Sequence, residues 1–139
     1  MRFRVVLDTN VIVAGMRSRR GASNRLLQLV GTGRFDTVVS VPLLFEYEDA
    51  LSRSKTGLSE RDRQTVLDYL CQASLKQRIF FLWRPLLPDP GDDMVLEAAV
   101  AGECDGIVTF NTRDFGPAAD FGVDLWSPAE LLLKIGDIG

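Results

Sequence analysis

Short runs of Val, Ile and Leu alternate with helical patterns along the whole sequence, and this alternation restricts the fold more than any other feature. The apolar runs predict strands at residues 3–7, 37–41, 79–83, 106–110 and 123–126. An alternating order of strands and helices is typical of an α/β fold with a mainly parallel central sheet and helices on both faces. A length of 139 residues fits one such domain, spanning residues 1–139.

Several of the predicted helices begin with capping signals. Ser23 and Ser59 precede helical patterns, and Ser127 is followed by proline and then by glutamate at the capping-box position. The prolines within residues 85–91 predict a loop. The helix predicted from Asp92 is apolar on nearly all sides, which indicates that it is buried.

The chain contains no histidine, which removes many kinds of active site. Serine or cysteine nucleophiles paired with histidine, histidine general bases and zinc sites built on imidazole are all excluded. The two cysteines are too few for a zinc site with four thiolates. Any acid–base or metal chemistry must therefore depend mainly on carboxylates.

Acidic residues are predicted to gather at one edge of the sheet. Functional groups of open parallel sheets lie at the carboxyl ends of the strands. Asp8 follows the first strand, and Asp114 follows the strand at 106–110. Asp92 and Asp93 begin the helix that leads into that strand, and Glu46 lies one turn into the helix that follows the strand at 37–41.

Each of these acids also has a purely structural interpretation. Asp8 and Asp114 are common turn formers, and Asp92 and Asp93 are well placed to cap a helix. On the helix after residues 37–41, Glu46 and Glu48 flank opposite edges of the apolar arc, so helical geometry does not choose between them. Together the acids make a stronger case for a site than any of them alone.

Clustered carboxylates repel one another and need cations or protons to coexist. Their hard oxygen atoms suit Mg²⁺ or Mn²⁺, and such an ion can activate water and neutralise a phosphoryl group without histidine. The sequence therefore predicts metal-assisted hydrolysis of a phosphodiester.

Four segments, taken in order, resemble PIN-domain ribonucleases, and most closely the VapC-like toxins of toxin–antitoxin pairs. The segments are Val5-Val6-Leu7-Asp8-Thr9-Asn10-Val11, Leu44-Phe45-Glu46-Tyr47, residues 89–98 and residues 107–115. The resemblance extends over nearly the whole chain and ends at Ser127-Pro128-Ala129-Glu130-Leu131-Leu132. It implies a PIN-like parallel-sheet fold whose acidic residues bind Mg²⁺ or Mn²⁺ and hydrolyse RNA.

The resemblance also implies roles for single residues. Asp8, Glu46 and Asp93 match the first three acids of the family, and Asp92 is a neighbouring candidate ligand. The fourth acidic position of the family commonly falls at Asn111, whose amide oxygen brings no charge, so one or two ions are possible.

Other positions around these acids match the family as well. Asp114 matches a further acidic position and can take over or share the second metal. Asn10 and Thr109 match polar positions that orient the acids or water. Four arginines are candidates for binding RNA phosphates around the acidic centre: Arg17, Arg19, Arg20 and Arg113.

The resemblance implies an RNA substrate, an antitoxin protein as partner and a homodimer. The absence of a cleavable leader pattern or a long apolar run predicts a cytoplasmic protein without a membrane span. Phosphatases of the haloacid dehalogenase type are excluded because Asn10 replaces their second aspartate. The alternative function is a non-catalytic PIN-like module that binds RNA or protein.

Overall fold

Consecutive residues of the first strand are all buried, although side chains along a strand point alternately to the two faces of a sheet. Val5, Val6 and Leu7 are each at most 2% exposed. Both faces of the sheet must therefore be covered, as in an α/β fold whose helices lie on both sides.

The computed structural model describes residues 2–79 and 87–137. Its strands are β1 (Arg4–Leu7), β2 (Asp36–Val39), β3 (Leu75–Lys76), β4 (Gly106–Val108) and β5 (Asp124–Trp126). Its helices are α1 (Thr9–Arg17), α2 (Ala22–Leu29), α3 (Val41–Arg53), α4 (Glu60–Ala73), α5 (Pro90–Ala101) and α6 (Pro128–Lys134), with a 3₁₀ segment at Thr112–Phe121. No helix within these ranges is both long and apolar enough to cross a membrane.

The strands form one parallel sheet in the order β3-β2-β1-β4-β5. The predicted α/β fold with a mainly parallel sheet is therefore confirmed. The chain builds the sheet outward from β1 in both directions, so the strand order reverses between β1 and β4. In open α/β sheets, ligands bind at the carboxyl ends of the strands beside such a switch point.

Helix α5 lies against the centre of the sheet and contacts β1, β2 and β4. Its residues Val95, Leu96, Ala98 and Ala99 are completely buried, which confirms the predicted buried helix. Asp89 is its N-cap and accepts a hydrogen bond from the Gly91 amide at 2.9 Å. The helix therefore begins at Pro90, two residues before the predicted start, because proline fits a first helical turn, where an N–H has no partner.

The helix caps at Ser59 and Ser127 are confirmed, and the one at Ser23 is wrong. The Ser59 and Ser127 hydroxyls accept hydrogen bonds from the backbone amides three residues further on, and Glu130 completes a capping box at Ser127. Helix α2 instead begins after Gly21, and Ser23 is buried inside it. Helices α1 and α2 approach so closely there that a Cβ on Gly15 would lie 3.3 Å from the Ser23 backbone.

Other boundaries also differ from the sequence prediction: the strand predicted at 37–41 is Asp36–Val39, and the one predicted at 106–110 is Gly106–Val108. Of the strand predicted at 79–83, residues 80–83 lie outside the described residues, and Ile79 is not in a strand; β3 is found at Leu75–Lys76. Of the predicted loop, residues 85 and 86 also lie outside the described residues. The 3₁₀ segment was not predicted, and it places Asp114 in its first turn.

Candidate active site

Asp8 and Thr109 meet at the switch point of the sheet. Asp8 follows β1, is 3% exposed, and accepts hydrogen bonds from the Thr9 amide at 2.8 Å and the Thr109 hydroxyl at 2.7 Å. Thr109 follows β4 and is completely buried. Burial raises the pKa of Asp8, and the Thr109 hydrogen bond opposes that rise. The parallel register of β1 and β4 therefore creates this pair directly.

Asp93 adds a second buried carboxylate from the first turn of α5. It is 1% exposed, and its Oδ1 accepts a hydrogen bond from the Leu87 amide at 3.0 Å. Its Oδ2 is buried and has no hydrogen-bond partner among the described residues. A buried carboxylate oxygen without a partner is costly, so this atom marks a position where a cation would be stabilised.

Asp92, next to it, is surrounded by other acids. Its pKa is raised to about 7, first by partial burial and then by the negative charges of four carboxylates. Those carboxylates belong to Asp8, Asp89, Asp114 and Asp93. The acids from β1, α5 and the 3₁₀ segment are therefore close enough to act on one another, as the sequence predicted.

Glu46 is the acid of α3 that reaches this cluster. A Cβ placed on Gly91 would lie 2.8 Å from the Glu46 Oε2 atom and 3.4 Å from the Asp89 Oδ1 atom. The Glu46 carboxylate thus lies over the first turn of α5, where the absence of a side chain on Gly91 leaves room for it. Glu48 is exposed, so the packing of α3 against α5 selects Glu46.

The remaining polar candidates surround the Asp8–Thr109 pair. The Thr109 hydroxyl accepts a hydrogen bond from the Asn111 amide at 2.9 Å, and the Asn10 side chain accepts one from the Phe110 amide at 3.5 Å. The Asn111 and Asp114 side chains are exposed. These contacts fix the turn after β4 and leave Asn111 and Asp114 open to solvent.

A comparison with protein families shows which family this sequence matches. The family described as PIN domain matches residues 4–113, which include Asp8, Glu46, Asp92, Asp93 and Asn111. The chain belongs to the PIN-domain family. No curated protein matches the sequence.

A solved structure supports the fold of this PIN domain. The chain is similar to a chain in the crystal structure of VapBC2 from Rickettsia felis bound to a DNA fragment from their promoter. The TM-score is 0.62 at 18% sequence identity, and the match covers 89% of this chain and 99% of the other. At this identity, the similarity establishes a shared fold.

The carboxylates of this PIN domain suit a divalent cation in their chemistry. Their donors are hard oxygen atoms, one of them buried without a partner among the described residues, and burial together with the charges of four neighbouring carboxylates raises the pKa of Asp92. Within residues 2–79 and 87–137, no three acidic or cysteine side chains are already arranged to hold a metal. To coordinate an ion, these side chains would have to draw closer together.

Two residues that support the site were not predicted from the sequence. The Tyr47 hydroxyl, completely buried, donates a hydrogen bond to the carbonyl of Leu7, the residue before Asp8. Asp89 caps α5 and adds its charge to that around Asp92. The sequence does contain a signal for Asp89. Proline is common in the first turn of a helix, so Pro90 indicates that the residue before it is the N-cap. No comparable signal exists for Tyr47.

Arg113 lies beside Asp114, but the structure does not bring the other three candidate arginines to the acids. Asp8 precedes α1 and Arg17 ends it, so the two are separated by the helix, about 13 Å for nine residues. Arg19 and Arg20 follow Arg17 and line a groove with Leu132 and Asp137 of the α6 region. They therefore lie at the opposite edge of the sheet.

Proposed function

We propose that this PIN-domain protein is a metal-dependent endoribonuclease. One observation supports the proposal above others: a buried, unpartnered oxygen of Asp93 lies beside Asp92, whose pKa four other carboxylates help to raise. Such a cluster is stabilised by a divalent cation, and the family contains nucleases that the sequence resembles. Asp8, Glu46, Asp93 and Asp114 are the proposed catalytic acids, and Asp92 is a further ligand.

The protein's own residues would prepare this site for Mg²⁺ or Mn²⁺. Thr109 holds Asp8 by a hydrogen bond that favours its charged form, and the Leu87 amide holds one oxygen of Asp93. Glu46 is held over the start of α5 by the space at Gly91. A divalent ion bound there would activate water for attack on phosphorus and offset the negative charge of the phosphate. Because Asn111 is uncharged, the second of two ions would depend on Asp114.

Glu46 and Glu48 provide a matched test, because both lie on α3 and only Glu46 approaches α5. We expect E46Q to weaken Mn²⁺ binding, measured by calorimetry, and to slow cleavage of single-stranded RNA. E48Q should leave both unchanged. D8N and D93N should abolish cleavage, as should EDTA. Cleavage that survives EDTA and D8N would contradict the proposal.

If RNA binds but is not cleaved in Mg²⁺ or Mn²⁺, the protein is the non-catalytic module that the sequence left as an alternative. Binding of RNA to a filter and cleavage of the same RNA on a gel separate these outcomes. The exposed amide of Asn111 is the feature that favours this alternative, because it lowers the charge available to hold an ion.

We also propose that the protein is the toxin of a toxin–antitoxin pair and acts in the cytoplasm. Support comes from the sequence resemblance and from the shared fold with a chain of the Rickettsia felis VapBC2 structure. Co-expression with the product of an adjacent short reading frame should yield a complex in which RNA cleavage is inhibited. If no adjacent product binds the protein or relieves its toxicity, this role is wrong.

A homodimer through α3 is proposed from its exposed apolar side chains. Val41 and Phe45 lie one turn apart on α3, and each is 66% exposed. Exposed apolar neighbours of this size are typical of a surface that binds another protein. Sedimentation should show a dimer for the wild type and a monomer for F45K; a monomeric wild type would contradict the proposal.

A further inference from the structure

Positive charge is concentrated on one side of this domain, away from the acids of the candidate site. The acids of the candidate site gather at the carboxyl ends of β1 and β4. Six cations gather at the other edge, on the side of β1, β2, α2 and α6, and we call them the amino-edge surface: Arg2, Arg19, Arg20, Arg25, Arg34 and Lys134.

Two adjoining grooves make this surface continuous. The first, of about 390 Å³, is lined by Arg2, Arg34 and Lys134. The second, of about 460 Å³, is lined by Arg19, Arg20 and Arg25. Asp137 joins them, because its carboxylate pairs with Arg25 at 2.9 Å and with Arg34 at 3.7 Å.

The surface keeps a net positive charge after its internal ion pairs are counted. Asp36 pairs with Arg2, and Asp137 pairs with Arg25 and Arg34, so six cations and two carboxylates leave a charge of +4. Arg19 and Arg20 are exposed and form no ion pair with any described residue. The whole chain carries −3, so this local charge stands against the overall balance.

We propose that the amino-edge surface binds the phosphate backbone of single-stranded RNA at a distance from the point of cleavage. This inference rests on the proposed function, because that proposal identifies RNA as the substrate. The acidic edge repels RNA, whereas arginine guanidinium groups bind phosphates through paired hydrogen bonds. Arg19 and Arg20 are available for such contacts, because they are exposed and form no ion pair with a described residue.

This arrangement makes RNA affinity depend on length. An RNA of about four nucleotides can occupy the amino-edge surface, or the acidic edge once a divalent cation offsets its charge, but it is too short to reach both. An RNA of about 20 nucleotides can contact both edges at once. The longer RNA should therefore bind more tightly and show a steeper salt dependence.

The test compares R19Q/R20Q with R19K/R20K, which keeps both charges. RNA of about 20 nucleotides is titrated in EDTA, where no cleavage is needed, and anisotropy is followed from low to high salt. Loss of two phosphate contacts should lower the salt slope by about 1.4, at about 0.7 per contact for a single strand. If the contacts contribute nothing at 1 M salt, this equals about a 25-fold weaker affinity at 0.1 M.

The outcomes separate this inference from the proposed function. Weaker binding by R19Q/R20Q with near-normal binding by R19K/R20K supports the surface, whether or not RNA is cleaved in Mn²⁺. Equal affinity and equal salt slope for both variants and the wild type would overturn it. Tighter binding of polyglutamate than of RNA would also overturn it, because the partner would then be an acidic protein.

Discussion

Replacing Thr109 by valine tests how the buried Asp8 is held. The Thr109 hydroxyl donates a hydrogen bond to Asp8 at 2.7 Å and accepts one from the Asn111 amide at 2.9 Å. Valine has nearly the same shape but offers neither bond. Asn111 is exposed, so we expect its backbone N–H to bind water in the valine variant. Asp8 is only 3% exposed, so its carboxylate oxygen loses the Thr109 donor without gaining water in its place.

The expected loss of stability is about 1.5–4 kcal/mol at pH 8. A hydrogen bond to a charged group contributes about 1.5–3 kcal/mol, and the bond from the Asn111 amide contributes about 1 kcal/mol or less. Thr9 supplies the control, because its hydroxyl lies 3.4 Å from the same carboxylate and its amide bond remains in the valine variant. T9V should cost less than about 1 kcal/mol.

The dependence of stability on pH provides a second test of this hydrogen bond. Burial raises the pKa of Asp8 above that of the unfolded chain, so the folded state retains the proton longer and stability falls as the pH rises through this range. Thr109 opposes this rise, and T109V should raise the pKa further. The stability difference between T109V and the wild type should therefore be small near pH 4 and reach its full value above the raised pKa.

Urea unfolding at several pH values, in EDTA, measures this difference. If T109V is destabilised equally at pH 4 and pH 8, the hydroxyl acts through packing and our account of Asp8 is wrong. If T9V and T109V are equally destabilised, the 2.7 Å hydrogen bond from Thr109 stabilises Asp8 no more than the 3.4 Å contact from Thr9 does.

Three further predictions concern the neighbouring residues. G91A should place a Cβ 2.8 Å from the Glu46 carboxylate, so the Mn²⁺ affinity measured by calorimetry should fall about tenfold. Stability should not fall, because alanine favours a helix more than glycine does. Unchanged affinity would refute this position of Glu46. D92N should reduce the fall in metal-free stability between pH 4 and 7, because the Asp92 pKa of about 7 makes its ionised form unfavourable in the fold; an unaltered profile in urea unfolding would refute it. Y47F should cost about 1–3 kcal/mol by leaving the Leu7 carbonyl unpaired; the same loss should hold from pH 5 to 9, because burial raises the Tyr47 pKa well above 10.

The sequence predicted the parts of this site that follow from strand order. Asp8 and Thr109 meet because β1 and β4 are parallel neighbours, and the carboxyl ends of parallel strands share one edge. The choice between Glu46 and Glu48 depends instead on how α3 is rotated against α5. Both glutamates flank the apolar arc, so a pattern within one helix contains no information about that rotation.

The arginines show a different limit. A helix that follows a parallel strand returns the chain to the opposite edge of the sheet, so the position of Arg17, Arg19 and Arg20 follows from the α/β topology itself. Grouping them with the acids relied on their closeness to Asp8 in sequence, although α1 separates them in space. In contrast, the hydrogen bond from Tyr47 to Leu7 depends on tertiary packing alone and has no signal in the sequence.

The distance between the acidic edge and the amino-edge surface also predicts that metal binding and RNA binding depend differently on pH. Burial first and then the negative charges of neighbouring acids raise the pKa of Asp92 to about 7, and no three described acidic or cysteine side chains are already arranged to hold a metal. Binding a cation must therefore release protons and draw the carboxylates together, so metal affinity should rise between pH 6 and 8. The amino-edge surface contains Arg and Lys and none of the acids of the candidate site. RNA affinity in EDTA should thus change little over the same pH range while metal affinity rises, and a matching pH profile for both would show that RNA depends on the acidic edge.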